Sequence, residues 1–321
     1  FMNRAIKMPL LAAACAMLAL SLACASAPAA VVPAEATPAA TAVANAGTAS
    51  PRPAADGTAA PVTAPSPSPE TTPLAQIPTY DPMRLPGYAE EFLGESLDDY
   101  RRLLAAIAAG ETSVILSDAA DYGRIERTVH ALYPQKMLLY DARFTLGEGP
   151  FSFDASTHTV SIRYLYDAGT HRMLMQAFAD RMAEALGRCT PGMSQRDCAE
   201  ALYLFVVENL HYELDMRLTV YDAVTNGAAF CQTYAALYQL LLTQVGIESY
   251  LVGGGADTDG DGTADAEHQW NRLLLDGAWY YADPTWDRGD LHYFAMSYET
   301  CVGTGHVPPF LDPCDALLDV A

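Results

Sequence analysis

The sequence predicts an α+β fold, because segments with helical spacing of apolar residues alternate with shorter segments that have the composition of strands. The clearest helix covers 232–245 and stops before Gly246, a residue type that commonly ends helices. The clearest strands cover 269–275 and 278–282. Asp276-Gly277 between them is the strongest short-range signal for a β-hairpin.

Earlier segments add further helices and strands. The predicted helices, in chain order, are 96–109, 118–132, 171–186 and 194–213. The predicted strands are 136–145, 157–166 and 249–252. The elements before residue 171 predict a small α+β region that packs on the C-terminal part of the chain.

The first 24 residues resemble a bacterial lipoprotein signal. A short basic region precedes the apolar run 8–23, which leads directly into Cys24. The resemblance implies that Cys24 becomes the lipidated first residue of an exported protein held at the membrane by its lipid. An ordinary signal peptide cut after Ala27 and an uncleaved membrane anchor are open alternatives. All three place the folded part outside the cytoplasm.

The segment 25–79 is predicted to be a disordered tether, because Ala, Pro, Thr and Ser dominate it without apolar periodicity. The chain is thereby divided into a signal at 1–24, the tether, an α+β region at 80–170 and a larger domain at 171–321. The net charge of −21 belongs to the part after residue 79. Such acidity argues against nucleic acid as a partner.

Three residues of the larger domain have complementary chemistry. Cys231 lies at the start of the 232–245 helix, where unpaired N–H groups and the positive end of the helix dipole stabilise a thiolate. His268 is a potential base, and Asp283 is a carboxylate that can orient an imidazole. A single cysteine or histidine is more often a buried structural residue, so the interpretation depends on all three.

The hairpin register predicts that the last two residues meet. If Asp276-Gly277 forms the turn, Leu275 faces Ala278, and stepping back along both strands puts Trp270 opposite Asp283. His268 is then the diagonal neighbour of Asp283 on one face of the sheet. Diagonal neighbours lie roughly 7 to 8 Å apart at the backbone, within reach of a hydrogen bond between their side chains.

Several short motifs lie between about residues 199 and 297. They are Asn209-Leu-His-Tyr212, Tyr221-Asp-Ala223, Phe230-Cys-Gln-Thr-Tyr-Ala235, Gly246-Ile247, His268-Gln-Trp-Asn271, Asp276-Gly-Ala-Trp-Tyr280 and Asp283-Pro-Thr-Trp-Asp287. In combination they resemble the transglutaminase-like superfamily of papain-type thiol enzymes. The resemblance implies a catalytic triad of Cys231, His268 and Asp283, with the cysteine helix packed on an antiparallel sheet. This chain departs from the family at Thr233, where glycine is usual, and in an acidic insert before His268.

The three groups predict an enzyme that acts on amide bonds of proteins or peptides at the cell surface. Cys231 attacks the carbonyl, and its backbone N–H contributes to an oxyanion hole, with Asn226 and Gln232 as candidate side-chain donors. Trp270 is the tryptophan expected near the site, whereas Trp279 and Trp286 are interpreted as core residues. Peptide hydrolysis is the first expectation. Acyl transfer from protein glutamine to an amine and an inactive surface-binding module are the alternatives.

An acidic loop precedes His268 and resembles an EF-hand loop. Carboxylates occupy positions 1, 3, 5 and 9, a glycine occupies position 6, and His268 stands at position 12 in place of glutamate. The chemistry needs no cofactor, but Ca²⁺ is a possible structural ion. The candidate ligands are Asp257, Asp259, Asp261, the Thr263 carbonyl, Asp265 and Glu267. A solvated acidic turn without an ion is the alternative.

Four cysteines remain once Cys15 in the signal, Cys24 and Cys231 are set aside. In an oxidising compartment they favour disulfides, and pairing of neighbours is the simplest of three connectivities. It predicts Cys189 with Cys198 and Cys301 with Cys314. Reduced, buried cysteines are the alternative.

Overall fold

The computed structural model describes residues 74–139 and 149–308. The signal, its Cys24, almost all of the tether and Cys314 lie outside these residues, so their assignments stay predictions. The described part is an α+β structure with antiparallel sheets, which confirms the predicted fold class. Within it, no helix combines the length and hydrophobicity required to cross a membrane.

The N-terminal region is built from three helices and a small antiparallel sheet. The helices are α1 (Gly87–Leu93), α2 (Leu97–Ala109) and α3 (Tyr122–Leu132). The strands are β1 (Ser113–Ile115), β2 (Phe151–Asp154) and β3 (Thr159–Ile162), with β3 in the middle. Apolar faces of all six elements share one buried core. The α1 helix and the strands β1 and β2 are elements that the sequence analysis did not predict.

The predicted strand 136–145 is wrong where the structure describes it. Pro134–Leu138 forms a 3₁₀ helix, and only Leu139 makes an isolated antiparallel bridge, with Tyr164. Proline favours the first turn of a helix because its φ is preset and its missing N–H needs no partner there. The rest of that predicted strand, 140–145, lies outside the described residues.

The C-terminal region, described as far as residue 308, contains five helices and six strands. The helices are α4 (Ala168–Leu186), α5 (Gln195–Asn209), α6 (Val220–Asn226), α7 (Cys231–Gln244) and α8 (Tyr298–Gly303). The strands are β4 (His211–Tyr212), β5 (Ala228–Ala229), β6 (Ser249–Ala256), β7 (Ala266–Leu275), β8 (Ala278–Ala282) and β9 (His306–Val307). An antiparallel sheet has the order β8-β7-β6-β9, and β4 pairs in parallel with β5.

The α5 helix ends earlier than the predicted 194–213. It begins with a capping box in which Ser194 and Asp197 each accept a hydrogen bond from the other's backbone N–H. It stops at Asn209 because the next residues turn into β4, where the N–H of His211 donates to the carbonyl of Gly227. This extended segment lies beside the start of α7.

The hairpin of β7 and β8 has the predicted register. Leu275 faces Ala278 and Asn271 faces Ala282. Asp276 and Gly277 both have positive φ, 51° and 81°, as a type I′ turn requires. The turn thereby fixes which residues share a face of the sheet, including the face that carries His268.

Helix α7 is almost entirely buried, and it packs against β7. Its apolar residues share one core with α4, α5, β7 and β8. A polar contact crosses this interface: the side-chain amide of Asn271 donates to the carbonyl of Ala235, 2.9 Å away. Because Asn271 is fully buried, this bond helps to set where α7 lies on the sheet.

The N-terminal region packs on the far end of α7. The N–H of Asp81 donates to the side-chain oxygen of Gln244 at 2.8 Å, and Arg84 donates to the carbonyl of the same residue. The amide of Gln239 lies 3.2 Å from the hydroxyl of Tyr88. These contacts join the region to the helix that begins with Cys231.

A disulfide joins Cys189 to Cys198 and confirms the first predicted pair. It closes the turn between α4 and α5. The same turn holds the first described residue, because the Leu74 N–H donates to the carbonyl of Met193 and the Gly192 N–H donates to the carbonyl of Leu74.

The second predicted pair stays a prediction, because Cys314 lies outside the described residues. Cys301 has no disulfide partner within the part of the chain that the structure describes. It is fully buried next to Val252, Trp270 and Met296, so its side chain serves as part of a small apolar cluster. Sequence spacing contains no information about this packing.

We expect the double substitution Cys189→Ser and Cys198→Ser to lower the free energy of unfolding by about 2–3 kcal/mol, because the disulfide closes a short loop in the unfolded chain. Urea denaturation measures the change. Dithiothreitol should destabilise the wild type to the same extent and leave the variant unaffected. Equal stability of the oxidised wild type and the variant would contradict the prediction.

Candidate active site

Cys231 is the first residue of α7 and is half-buried. The parallel bridge between β4 and β5 brings the chain to this position. Gly227 precedes β5 with a φ of +77°, and a Cβ there would lie 2.9 Å from the carbonyl oxygen of Asn209. Only glycine fits this close approach without strain, and the turn delivers the thiol to the helix start as the sequence predicts.

The start of α7 leaves backbone donors beside the thiol. The carbonyl of Phe230 accepts from Thr233 and Tyr234, as in an ordinary first helical turn. The first N–H groups of a helix, those of Cys231 and Gln232, have no acceptor within the helix. They and the helix dipole favour negative charge at this point.

His268 and Asp283 form a buried hydrogen-bonded pair. His268 lies on β7, and Asp283 follows the last residue of β8. The His268 Nε2 donates to the Asp283 Oδ2 at 2.7 Å. The imidazole is 6% exposed and the carboxylate is fully buried. Since Nε2 is occupied by the carboxylate, Nδ1 is the ring nitrogen that can bond to Cys231.

The electrostatics of the site favour a charged pair. Burial lowers the pKa of His268, but hydrogen bonds with Asp283 and Cys231 and the negative charges of both outweigh it and raise the pKa to about 9. Burial raises the pKa of Asp283, but hydrogen bonds from His268 and His306 outweigh it and lower the pKa to about 2. The raised pKa of His268 and the lowered pKa of Asp283 together favour an imidazolium paired with a carboxylate.

Two tryptophans contact the His268 ring. Trp286 stacks on it with ring centroids 4.5 Å apart and an angle of 8° between planes, and Trp270 lies 5.7 Å away on centroids. Trp270 is near the site as predicted but fully buried, so it does not line an open cleft. The interpretation of Trp286 as a core residue is wrong, because it is half-buried and forms the closest stack on the imidazole.

The chain after Asp283 is held by a second buried carboxylate. Asp287 accepts from the Tyr203 hydroxyl at 2.8 Å and from the Tyr293 N–H at 3.1 Å. The Tyr203 hydroxyl also lies 2.9 Å from the carbonyl of Asp283, and the Asp283 N–H donates to the carbonyl of Tyr293. Helix α5, which carries Tyr203, thereby fixes the backbone of Asp283.

The two candidate side-chain donors of the oxyanion hole, Gln232 and Asn226, are both exposed. Gln232 is exposed immediately after Cys231, and Asn226 is exposed at the end of α6. The Asn226 Oδ1 accepts from the hydroxyl of Thr225 at 3.3 Å. Thr233, the departure from the family pattern, is buried and bonds to the carbonyl of Leu218 at 3.3 Å, which ties the loop before α6 to α7.

The acidic loop brings three of its predicted calcium ligands together. One oxygen each from Asp257, Asp259 and Asp265 lies within 4.8 Å of the others. Asp261 does not join this group, since its Oδ1 accepts from the N–H and hydroxyl of Thr263. The residues present therefore fit a cation in part: three carboxylates lie close enough to share an ion, and the fourth is bonded to Thr263.

Sequence reasoning missed the histidine at position 306. Its Nε2 donates to the Asp283 Oδ2 at 3.1 Å from 23 positions further along the chain. No motif or spacing in the sequence marks His306, because β9 is two residues long and the contact is made only in the folded chain.

Residues 181–284 match the model of a protein family, the Transglutaminase-like superfamily. The match includes Cys231, His268 and Asp283. Residues 181–284 are thus similar to this superfamily, and the match confirms the resemblance found in the sequence. The domain boundaries after residues 24, 79 and 170 stay predictions.

Three solved structures are similar to this chain. A TGase has 13% identity and a TM-score of 0.30, over 40% of each chain. A candidate cysteine protease from Cytophaga hutchinsonii has 15% identity and a TM-score of 0.31, over 49% of this chain and 57% of that one. A candidate protease from Parabacteroides distasonis has 15% identity and a TM-score of 0.26, over 43% and 30%. The matched region spans less than two thirds of each of these structures. None of the curated proteins compared with the chain matches it.

We expect His268 to titrate near pH 9 in nuclear magnetic resonance spectra, because Asp283 and Cys231 stabilise its charged form. The substitution Asp283→Asn should lower the midpoint, since burial remains while the negative charge is lost. A wild-type midpoint at or below 6.5 would contradict this electrostatic picture. The amide fingerprint of each variant serves as the control for folding.

The same pKa shifts set the sign of two contributions to stability. The pKa of His268 is raised above 6.5, so its contribution is complete below pH 6.5 and is lost as the pH rises through about 9. The pKa of Asp283 is lowered below 3.8, so its contribution is present above pH 3.8 and is lost as the pH falls through about 2. Urea denaturation across pH, compared between the wild type and Asp283→Asn, measures both.

Proposed function

We propose that the protein is an extracytoplasmic thiol enzyme that cleaves amide bonds of proteins or peptides, with hydrolysis as its reaction. The observation that carries the proposal is the arrangement of Cys231, His268 and Asp283. Cys231 lies at a helix start, its negative charge helps to raise the pKa of His268, and the His268 Nε2 bonds to the buried Asp283 carboxylate at 2.7 Å. These relations support the roles of nucleophile, base and orienting group in a triad.

The first half of the reaction forms a thioester. The Cys231 sulfur, as a thiolate, attacks the carbonyl carbon of the substrate, and the oxyanion that forms accepts hydrogen bonds from N–H groups at the start of α7. The His268 imidazolium then donates its Nδ1 proton to the leaving nitrogen as the C–N bond breaks. Asp283 keeps the other nitrogen protonated, so the ring retains the tautomer that the reaction needs.

The second half depends on the acceptor. With water, His268 Nδ1 takes a proton as the oxygen attacks the thioester, and a carboxylic acid is released with the thiol restored. With an amine, the same steps form a new amide bond. We favour water because it is abundant at the half-buried sulfur, and the described residues supply no separate site for an amine.

The proposed location is the outer side of the cytoplasmic membrane, where a lipid on Cys24 anchors the protein. The disulfide between Cys189 and Cys198 supports an oxidising compartment, since disulfides persist there. The substrate is accordingly a protein or peptide that is exposed at the cell surface.

We expect wild-type protein to cleave members of a peptide library and Cys231→Ala to cleave none, because the sulfur forms the covalent intermediate. Mass spectrometry of the products, with and without an added alkylamine, measures both outcomes. Products shortened by hydrolysis support the proposal, and products that gain the amine indicate acyl transfer instead. Equal products from both proteins would rule out catalysis by this thiol.

The two free cysteines of the described part provide an internal control for the reactivity of Cys231. Cys301 is buried, and burial, with the negative charge of Asp283, raises its pKa to about 12. Iodoacetamide at neutral pH should therefore label the Cys231 peptide and spare the Cys301 peptide. A binding module without catalytic function would label slowly at Cys231 with a rate that His268→Gln does not change.

We also propose that Ca²⁺ binds the acidic loop as a structural ion, through Asp257, Asp259 and Asp265, with Asp261 and the Thr263 carbonyl as further ligands. When bound, the ion supplies positive charge that offsets the repulsion among these carboxylates. The loop leads directly into the site. The Asp265 N–H closes it by donating to the carbonyl of Ala256, and β7, which carries His268, begins at the next residue.

We expect Ca²⁺ at one hundred times its dissociation constant to stabilise the fold by about 2.7 kcal/mol, and the chelator EDTA to reverse the effect. Differential scanning calorimetry measures the change in melting temperature. The variant Asp259→Asn should lose most of the response. The variant Asp98→Asn, which removes the same charge from an exposed position on α2, should keep it. Identical melting temperature and activity with Ca²⁺ and with EDTA would contradict the proposal.

A further inference from the structure

Asp283 is bonded to two imidazoles rather than one. Its Oδ2 lies 2.7 Å from the Nε2 of His268 and 3.1 Å from the Nε2 of His306. Because an ionised carboxylate only accepts hydrogen bonds, both nitrogens donate. The His306 and Asp283 side chains are fully buried, so water does not compete for this contact.

The orientation of His306 is fixed from several directions. Its Nδ1 lies 3.1 Å from the hydroxyl of Thr304 and 3.2 Å from the carbonyl of Cys301. Its ring contacts Trp286 and Trp270, with centroids 4.3 and 4.9 Å away. A ring held by polar contacts at both nitrogens and by two aromatic neighbours has a single arrangement available.

The backbone delivers His306 to this position through an edge strand. In β9, His306 faces Ala256 of β6, and the preceding Gly305 accepts from the N–H of Asp257. Gly305 has a φ of +92°, and a Cβ there would lie 2.6 Å from the Asp257 carbonyl oxygen. The tight approach of the two chains therefore requires glycine.

The three donors on Asp283 hold both of its oxygens. Oδ1 accepts from the N–H of Thr285 at 2.8 Å, while Oδ2 accepts from the two imidazoles. Rotation of the carboxylate about its terminal torsion would break all three bonds at once. Without His306, one lone pair of Oδ2 would have no donor in a site that excludes water. Such an unpaired buried acceptor lowers the stability of the fold.

The side chains of His268, Asp283 and His306 also resemble a metal site, since their donor atoms lie within 4.8 Å of one another. The distances favour hydrogen bonds. Zinc ligands lie about 2.0–2.2 Å from the ion and thus more than about 3 Å from each other. The 2.7 Å separation between His268 and Asp283 leaves no room for an ion between them.

We propose that His306 is a positioning residue that fixes the Asp283 carboxylate and, through it, the imidazole of His268. The inference rests on the proposed function, in which that imidazole carries the proton. His306 is fully buried and bonds to Asp283, so its effect on the reaction passes through that carboxylate. It acts by keeping the carboxylate in the one rotamer that bonds to the base.

The test compares His306→Leu, which removes the donor, with His306→Gln, which retains an N–H donor. The first readout is the proton resonance of the hydrogen bond between His268 Nε2 and Asp283, observed far downfield. We expect it to be sharp in the wild type and in His306→Gln, and broadened by exchange with water in His306→Leu. A matched control, His171→Leu, removes another buried histidine whose ring bonds to the carbonyl of Ile107, away from the site. It should leave the resonance unchanged.

The second readout is the kinetics of peptide cleavage by the same proteins. We expect His306→Leu to lower kcat on the order of 10- to 100-fold with little change in KM, and His306→Gln to recover most of the loss. An unchanged resonance together with unchanged kcat in His306→Leu would overturn the proposal. If no protein cleaves any peptide, the proposed function fails, and the resonance still decides whether His306 orders the pair.

If His306→Leu does not fold, the variant Thr304→Val tests whether His306 positions the Asp283 carboxylate. It removes the hydroxyl that contacts Nδ1 and leaves the Nε2 donor in place. We expect a smaller broadening of the same resonance and a smaller loss of kcat. Wild-type values for both in Thr304→Val and in His306→Gln would then overturn the proposal.

Discussion

The structure of the site depends on one fully buried carboxylate, that of Asp283. A charge without solvent is tolerated only where donors replace water, and removal of a partner from a buried ion pair costs several kcal/mol. Here the donors come from widely separated parts of the chain: His268 on β7, Thr285 in the next turn and His306 on β9. The need to satisfy Asp283 therefore ties the sheet, the loop after β8 and the C-terminal strand into one arrangement.

A separate set of contacts positions the thiol. This set and the donors to Asp283 both involve strand β7. The helix of the thiol, α7, is held on the sheet by Asn271, three residues from His268 on the same strand. One strand thus carries both Asn271, which helps to place α7, and His268, which we propose as the base for the thiol at the start of that helix. In the proposed reaction, the His268 imidazole lies between the Cys231 sulfur, whose charge changes, and the Asp283 carboxylate, whose charge does not. That proposal has the Nδ1 proton pass to the leaving nitrogen while Asp283 holds the ring in place.

Local patterns in the sequence predicted the parts of the molecule that are set by local physics. The Asp-Gly turn fixed the register of the β7 and β8 hairpin and hence the pairing of His268 with Asp283, and apolar spacing located α7 within one residue. Contacts across long stretches of chain were not predictable in this way. His306 and Trp286 join the site only through packing, the 3₁₀ turn at Pro134 overrode a strand-like composition, and Cys301 is buried against residues of β6 and β7. Residue type and spacing do not encode these environments.

The short backbone pairing at Leu74 has a mechanical consequence. Tension along the chain that precedes this residue would act first on its two hydrogen bonds with Gly192 and Met193. Those bonds lie in the turn that Cys189 and Cys198 close covalently. The turn can therefore lengthen only until the disulfide bears the load, and Cys198 passes that load into α5.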